Sequence, residues 1–119
     1  MRDEIMWWMS RLTIMLTSLF LSFSLAASAW AAEIQMGYEG NLVFEPNEVT
    51  VNAGETVTFV NNALPPHNII VDGRADLSRE ALMFSPGETQ EIVFADTGDF
   101  NFKCAPHEGA GMKGVIHVK

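Results

Sequence analysis

The stretch Cys104-Ala-Pro-His107-Glu-Gly-Ala-Gly-Met112 holds the single cysteine of the chain, a histidine three residues later and a methionine five residues after that. Thiolate, imidazole and thioether are soft or borderline donors, which suit copper better than calcium or magnesium. A second imidazole would complete a trigonal His₂Cys set with a weak axial Met, an arrangement suited to one-electron copper chemistry. His67 is placed to supply it. It follows Pro65-Pro66, and two prolines pre-set an extended approach and limit how the loop moves. Pro106 stiffens the downstream loop in the same way, while Gly109 and Gly111 are expected to let the chain curl so that Met112 approaches from a third direction.

Taken singly, each residue has a plain explanation: histidines sit on surfaces, a lone cysteine packs as a small hydrophobe, and methionine fills gaps. The joint pattern of C-x₂-H-x₄-M with a distant Pro-Pro-His outweighs those readings and points to copper. Other candidates fail the same test. His117 has the opposite strand parity to Ile116 and Val118, so it is expected to face water and bind nothing. Met36 and Met83 have no neighbouring donors and read as filler.

Donors drawn from two distant segments need a scaffold that holds them still. Beyond residue 32 the pattern has period two. Val49 and Val51 alternate with Glu48 and Thr50, Val57 and Phe59 with Thr56 and Thr58, and Phe100, Phe102 and Cys104 with Asn101 and Lys103. Such alternation marks strands with one face on a core, and it puts Cys104 inward. His67–Val71 is apolar on both faces, as in a central strand. Turn signals at Glu45-Pro-Asn-Glu48, Asn52-Ala-Gly-Glu55, Ser85-Pro-Gly-Glu88 and Asp96-Thr-Gly-Asp99 separate the runs. The expectation is an all-β Greek-key sandwich of seven to eight strands, with one helix-like piece at Asp76–Met83.

The first third has a different composition. All three tryptophans and four of the seven methionines precede residue 33, and Leu12–Ala32 carries no charge. Ala29-Trp30-Ala31 fits a small-x-small cleavage site, so residues 1–31 read as a secretory signal peptide and 32–119 as one exported domain. The rival is a retained anchor, since 21 uncharged residues can just span a bilayer. A lone cysteine makes no internal disulfide, and metal ligation protects it in an oxidising compartment. Residues 32–119 hold five Lys/Arg and thirteen Asp/Glu, a formal charge of −8. That excludes a basic patch for nucleic acid or an anionic membrane.

Asn61-Asn-Ala-Leu-Pro-Pro-His67-Asn-Ile-Ile-Val71 and Cys104-Ala-Pro-His-Glu-Gly-Ala-Gly-Met112-Lys-Gly closely resemble the plastocyanins, of cupredoxin fold. Leu42-Val-Phe-Glu-Pro46 and Val49-Thr-Val-Asn-Ala-Gly54 look like the early strands of that family, so the resemblance covers essentially all of residues 33–119. It implies one copper ion held by His67, Cys104, His107 and Met112. The implied role is a soluble, monomeric one-electron carrier in the thylakoid lumen, docking transiently between cytochrome f and photosystem I. It also implies an electron port at the edge of His107, an apolar docking patch of Leu42, Pro66, Gly109 and Ala110, and Asn68 as a brace for the Cys loop.

This chain departs from the family at three places. Lys103 stands where plastocyanins usually carry Tyr before the ligand Cys, which puts a second docking face in doubt. Glu108 stands where many cyanobacterial members carry Arg, and Asp72–Ser85 looks short. Charge reversal at Glu108 is expected to alter docking with acidic partners.

Three other readings compete. Lys103-Cys-Ala-Pro-His also resembles pseudoazurin, a periplasmic donor to nitrite reductase, although that family is usually basic around its site. A non-redox copper carrier would favour open, Met-rich ligation. A Cys-His nucleophilic enzyme would need an orienting group and a cleft, and the sequence suggests neither.

Overall fold

The structure, a computed structural model, describes residues 30–119, with side chains from residue 32 onward. The expected leader at 1–31 therefore lies outside the described residues, except for the backbone of Trp30 and Ala31. Those two open the first strand.

Nine strands are present among the described residues: β1 (Trp30–Met36), β2 (Phe44–Glu45), β3 (Glu48–Val51), β4 (Glu55–Asn61), β5 (His67–Val71), β6 (Arg79–Met83), β7 (Thr89–Phe94), β8 (Gly98–Lys103) and β9 (Lys113–Val118). They form two sheets, one ordered β2-β1-β4-β7 and the other β3-β9-β8-β5-β6. The expected sandwich is the architecture found. The count exceeds seven to eight because the two-residue β2 pairs with the end of β1, and because Arg79–Met83 is extended. Two pairings are parallel, β1 with β4 and β3 with β9; all others are antiparallel.

The segment Asp76–Met83 is not helical. A turn at 75–77 leads into β6, which pairs with β5 through His67↔Met83 and Ile69↔Arg79. Its residues favour helix in isolation. The open edge of β5, however, presents peptide groups that need partners, and tertiary pairing overrides a weak local preference. Ser78 fastens the intervening loop. Its hydroxyl accepts from the Val71 N–H at 2.9 Å and donates to the Arg74 carbonyl at 2.9 Å.

Period-two alternation becomes a core between the sheets. Ile34, Val57, Phe59, Ile92 and Phe94 point inward from one sheet, and Ile69, Phe102 and Ile116 from the other; each is at most 1% exposed. Met36 and Met83 are buried with them, as expected of filler. Phe102 packs edge-on against Phe44 and Phe59, with centroids 4.7 and 5.4 Å away. Edge-to-face pairs of this kind add about 0.5–1.5 kcal/mol beyond the area they bury. Phe102 lies two residues before Cys104, so the aromatic cluster fixes the strand that delivers the thiol.

Candidate metal centre

Cys104 follows β8 and is fully buried. The chain then winds through a 3₁₀ segment, Ala105–Ala110, whose first turn contains Pro106. Only Gly111, at φ 86°, takes the left-handed conformation that ends this segment; Gly109 does not. The Gly111 N–H bonds back to the Glu108 carbonyl at 2.9 Å. The loop closes where the Cys104 N–H donates to the Met112 carbonyl at 3.0 Å and the Met112 N–H to the His107 carbonyl at 3.3 Å. Thus Cys104, His107 and Met112 lie on one short closed loop, and Met112 is fully buried.

His67 opens β5 from the opposite side and is also fully buried. Three donor atoms converge. Cys104 Sγ lies 3.3 Å from His107 Nδ1 and 3.7 Å from His67 Nδ1, and the two imidazole nitrogens are 3.2 Å apart. No carboxylate intrudes on this group of His67, Cys104 and His107.

These separations test whether a metal fits. Donors about 2.0–2.3 Å from one ion, and roughly 100–120° apart around it, sit about 3.1–4.0 Å from each other. The observed spacings match that range. The donor chemistry agrees: two nitrogens and a thiol suit a borderline ion, and no oxygen cage for a hard cation is present among the described residues.

Burial pushes the Cys104 thiol up from its ordinary pKa, partly offset by peptide N–H groups of Asn68 and His107. Burial also lowers the pKa of His67, helped by the neighbouring His107 and opposed by the Ala63 carbonyl. Both effects favour neutral groups, so the imidazole is ready to bind while the thiol must lose its proton when a metal enters.

Asn68 joins three segments. Its Oδ1 accepts from the Ala105 N–H at 2.8 Å, and its Nδ2 donates to the Glu80 carbonyl at 3.1 Å. The first of these bonds pins the residue directly after Cys104.

Exposure separates the donors. His67, Cys104 and Met112 are fully buried, and only His107 reaches solvent. Gly109 and Ala110 are exposed, while Leu42 and Pro66 are half-buried. The sequence reading missed Leu64, 58% exposed on the loop that delivers His67. A large apolar side chain directly before Pro-Pro was the available signal.

Lys103 does not stand free: its Nζ lies 3.1 Å from Glu108 Oε1 and 3.9 Å from Asp72 Oδ1. These residues line a surface cleft of about 370 Å³ outside the donor cluster. The expectation for His117 needs correction. It is half-buried on the outer face of its sheet, but both ring nitrogens are engaged, Nδ1 with Asp99 and Nε2 with Glu48, each at 2.6 Å.

A two-sheet sandwich with buried imidazole and thiol donors gathered at a loop end defines a cupredoxin. Residues 32–119 match the family described as copper binding proteins, plastocyanin/azurin family, and the chain belongs to that family. It is 43% identical over 106 residues to the chloroplastic plastocyanin of Oryza sativa subsp. indica, covering 82% of this chain and 69% of that one. With the chloroplastic plastocyanin of Physcomitrium patens it shares 44% identity, over 82% of this chain and 63% of the relative. The plastocyanin of Scenedesmus fuscus is 48% identical over 67% of this chain and 90% of its own length. Among solved structures, a mutant fern plastocyanin superposes with a TM-score of 0.67 at 32% identity, over 73% of this chain and 99% of that one. Amicyanin from Paracoccus versutus gives 0.62 at 26%, over 79% and 86%. The protein is a type I copper electron carrier, and copper is its cofactor.

Proposed function

We propose that His67, Cys104, His107 and Met112 bind one copper ion, and that the protein carries single electrons from cytochrome f to photosystem I on the lumenal side of the thylakoid membrane. The convergence of Cys104 Sγ, His67 Nδ1 and His107 Nδ1 within 3.7 Å of one another carries this reading. The names of the chloroplastic relatives support the location, as does the expected export signal at 1–31.

When bound, copper supplies a one-electron Cu(I)/Cu(II) couple. The protein's part is to hold donor geometry constant between the two states. His67 is fixed by β5, and Cys104 by β8 and the aromatic cluster around Phe102. The closed loop fixes the rest. Burial of three donors keeps water out, and His107 alone offers a ring edge through which an electron enters and leaves. Leu42, Pro66, Gly109 and Ala110, which the family resemblance assigns to the docking patch, are uncharged, as is the exposed Leu64. A partner can therefore approach closely there without forming a strong ion pair, which keeps the encounter short. The arrangement serves transfer between partners, not turnover of a bound substrate.

Loading the metal-free protein with Cu(II) tests this. A deep blue thiolate charge-transfer band with narrow copper hyperfine splitting is expected, followed by rapid reduction by cytochrome f and oxidation by photosystem I. A colourless complex would overturn the ligand set. A blue protein that reacts with nitrite reductase but not with cytochrome f would reassign the partners.

A further inference from the structure

Metal-bound histidines are usually oriented by a hydrogen bond from the other ring nitrogen. His67 has only a weak form of that device. Its Nδ1 faces Cys104 and His107, while the Ala63 carbonyl lies beside its buried Nε2, close enough to raise the pKa of the ring but short of good hydrogen-bond geometry. Packing must therefore share in holding the ring, and the question is what it packs against.

The answer lies at the end of β1. Gly37 is buried and adopts φ 75°, ψ 34°. A Cβ built on it would fall 2.6 Å from His67 Nε2, 3.3 Å from His67 Cδ2 and 3.0 Å from the Ala63 carbonyl oxygen. Gly37 is locked in place by its N–H bond to the Val43 carbonyl at 3.0 Å. Next to it, the Met36 carbonyl accepts from the Asn62 N–H at 2.8 Å, which ties the start of the 62–66 loop to the same point. Backbone hydrogen bonds thus tether both sides of the contact.

We propose that Gly37 is a positioning residue for the copper ligand His67: its bare Cα forms the wall against which the imidazole is seated. The inference rests on the ligand assignment above. It explains how a ring held by only one weak contact to the Ala63 carbonyl keeps one orientation. The wall lies in a segment 30 residues upstream, outside both ligand loops.

Gly40 provides the control. It has nearly the same backbone strain, φ 78°, but a Cβ there would meet nothing within 4 Å. Gly37→Ala and Gly40→Ala therefore share the left-handed penalty and differ in the contact with His67. We expect Gly37→Ala to weaken copper binding by at least about 10-fold, the low end for loss of an orienting partner, and to shift the charge-transfer band. Gly40→Ala is expected to keep the wild-type spectrum and an affinity within about twofold of wild type, since its Cβ touches no ligand. Identical spectra and affinities for the two variants would overturn the proposal.

A metal-free measurement stands beside this one. The fall in Tm caused by Gly37→Ala should shrink by at least half when His67 is also replaced by Ala. If Gly37→Ala alone does not fold, folding of the double variant supports the proposal, and failure of both overturns it. An equal Tm loss in both backgrounds also overturns it. A wild-type protein that took up copper without the blue band would sink the ligand assignment instead, and the metal-free comparison would still judge Gly37.

Discussion

Lys103 Nζ lies 3.1 Å from Glu108 Oε1, so the residue before Cys104 and the residue after His107 face each other across the Cys104 loop. Glu108 is thus not an isolated negative charge beside His107; its neighbour neutralises it. The negative charge of Glu108 is locally compensated, which reduces its effect on docking.

This pairing predicts opposite single-variant effects. Lys103→Gln leaves the Glu108 and Asp72 carboxylates without their shared cation, and Glu108→Gln leaves the ammonium with only the longer Asp72 contact at 3.9 Å. Against a cationic inorganic oxidant, the salt dependence of the transfer rate should steepen in the first and weaken in the second. The double variant should return to the wild-type slope. Both side chains are partly exposed, so Tm should move little, by less than about 1 kcal/mol in stability terms. Stopped-flow rates across an ionic-strength series decide it; equal slopes in all four proteins would refute the pairing.

Asn68 should matter to both fold and site. Asn68→Ala removes the bonds to Ala105 N–H and the Glu80 carbonyl and leaves both peptide groups unpaired. A loss of about 1–3 kcal/mol is expected by denaturant titration. Copper affinity should fall about 10–100-fold, because the residue after Cys104 is no longer pinned.

His117 gives a pH dependence. Asp99, with Glu48 beside it, raises the imidazole pKa above 6.5 by hydrogen bonding to the protonated ring. These two carboxylates, from β8 and β3, face it on either side. The folded state binds the proton more tightly than the unfolded chain does. The stabilisation is therefore complete below about pH 6.5 while the carboxylates stay ionised, and is lost as pH rises through the higher folded value. Tm should decline across that window in the wild type, and His117→Gln should flatten the decline. A Tm profile with the same slope in both proteins would count against it.

The donors can be separated by substitution. Cys104→Ala should remove the visible charge-transfer band altogether. Met112→Gln should keep copper and colour but lower the reduction potential, since the axial ligand tunes it. Absorption spectra and protein-film voltammetry read both outcomes.

Much of the centre could be read from the chain. Alternation at Phe100, Phe102 and Cys104 gives the inward face, and Pro-Pro before His67 marks a rigid presentation. Alternation reports which face a residue occupies, however, not which strand lies beside it. The parallel pairs β1 with β4 and β3 with β9 were therefore invisible, and so was the meeting of His117 with Glu48, 69 residues away. Arg79–Met83 misled for another reason: Glu, Ala, Leu and Met favour helix, and only the waiting edge of β5 draws them straight. Gly37 was silent because a missing side chain leaves no chemical mark in a sequence.

The placing of β9 between β3 and β8 bears on the order of events during synthesis. Eight of the described strands precede this one, yet β3 has no neighbour in the sheet that carries Cys104 until β9 arrives. His107 and Met112 emerge only just ahead of it. The strands that carry the donors, β5 and β8, pair with each other directly, so β9 locks the donor-bearing half of its sheet onto β3 only after all four donors have been made.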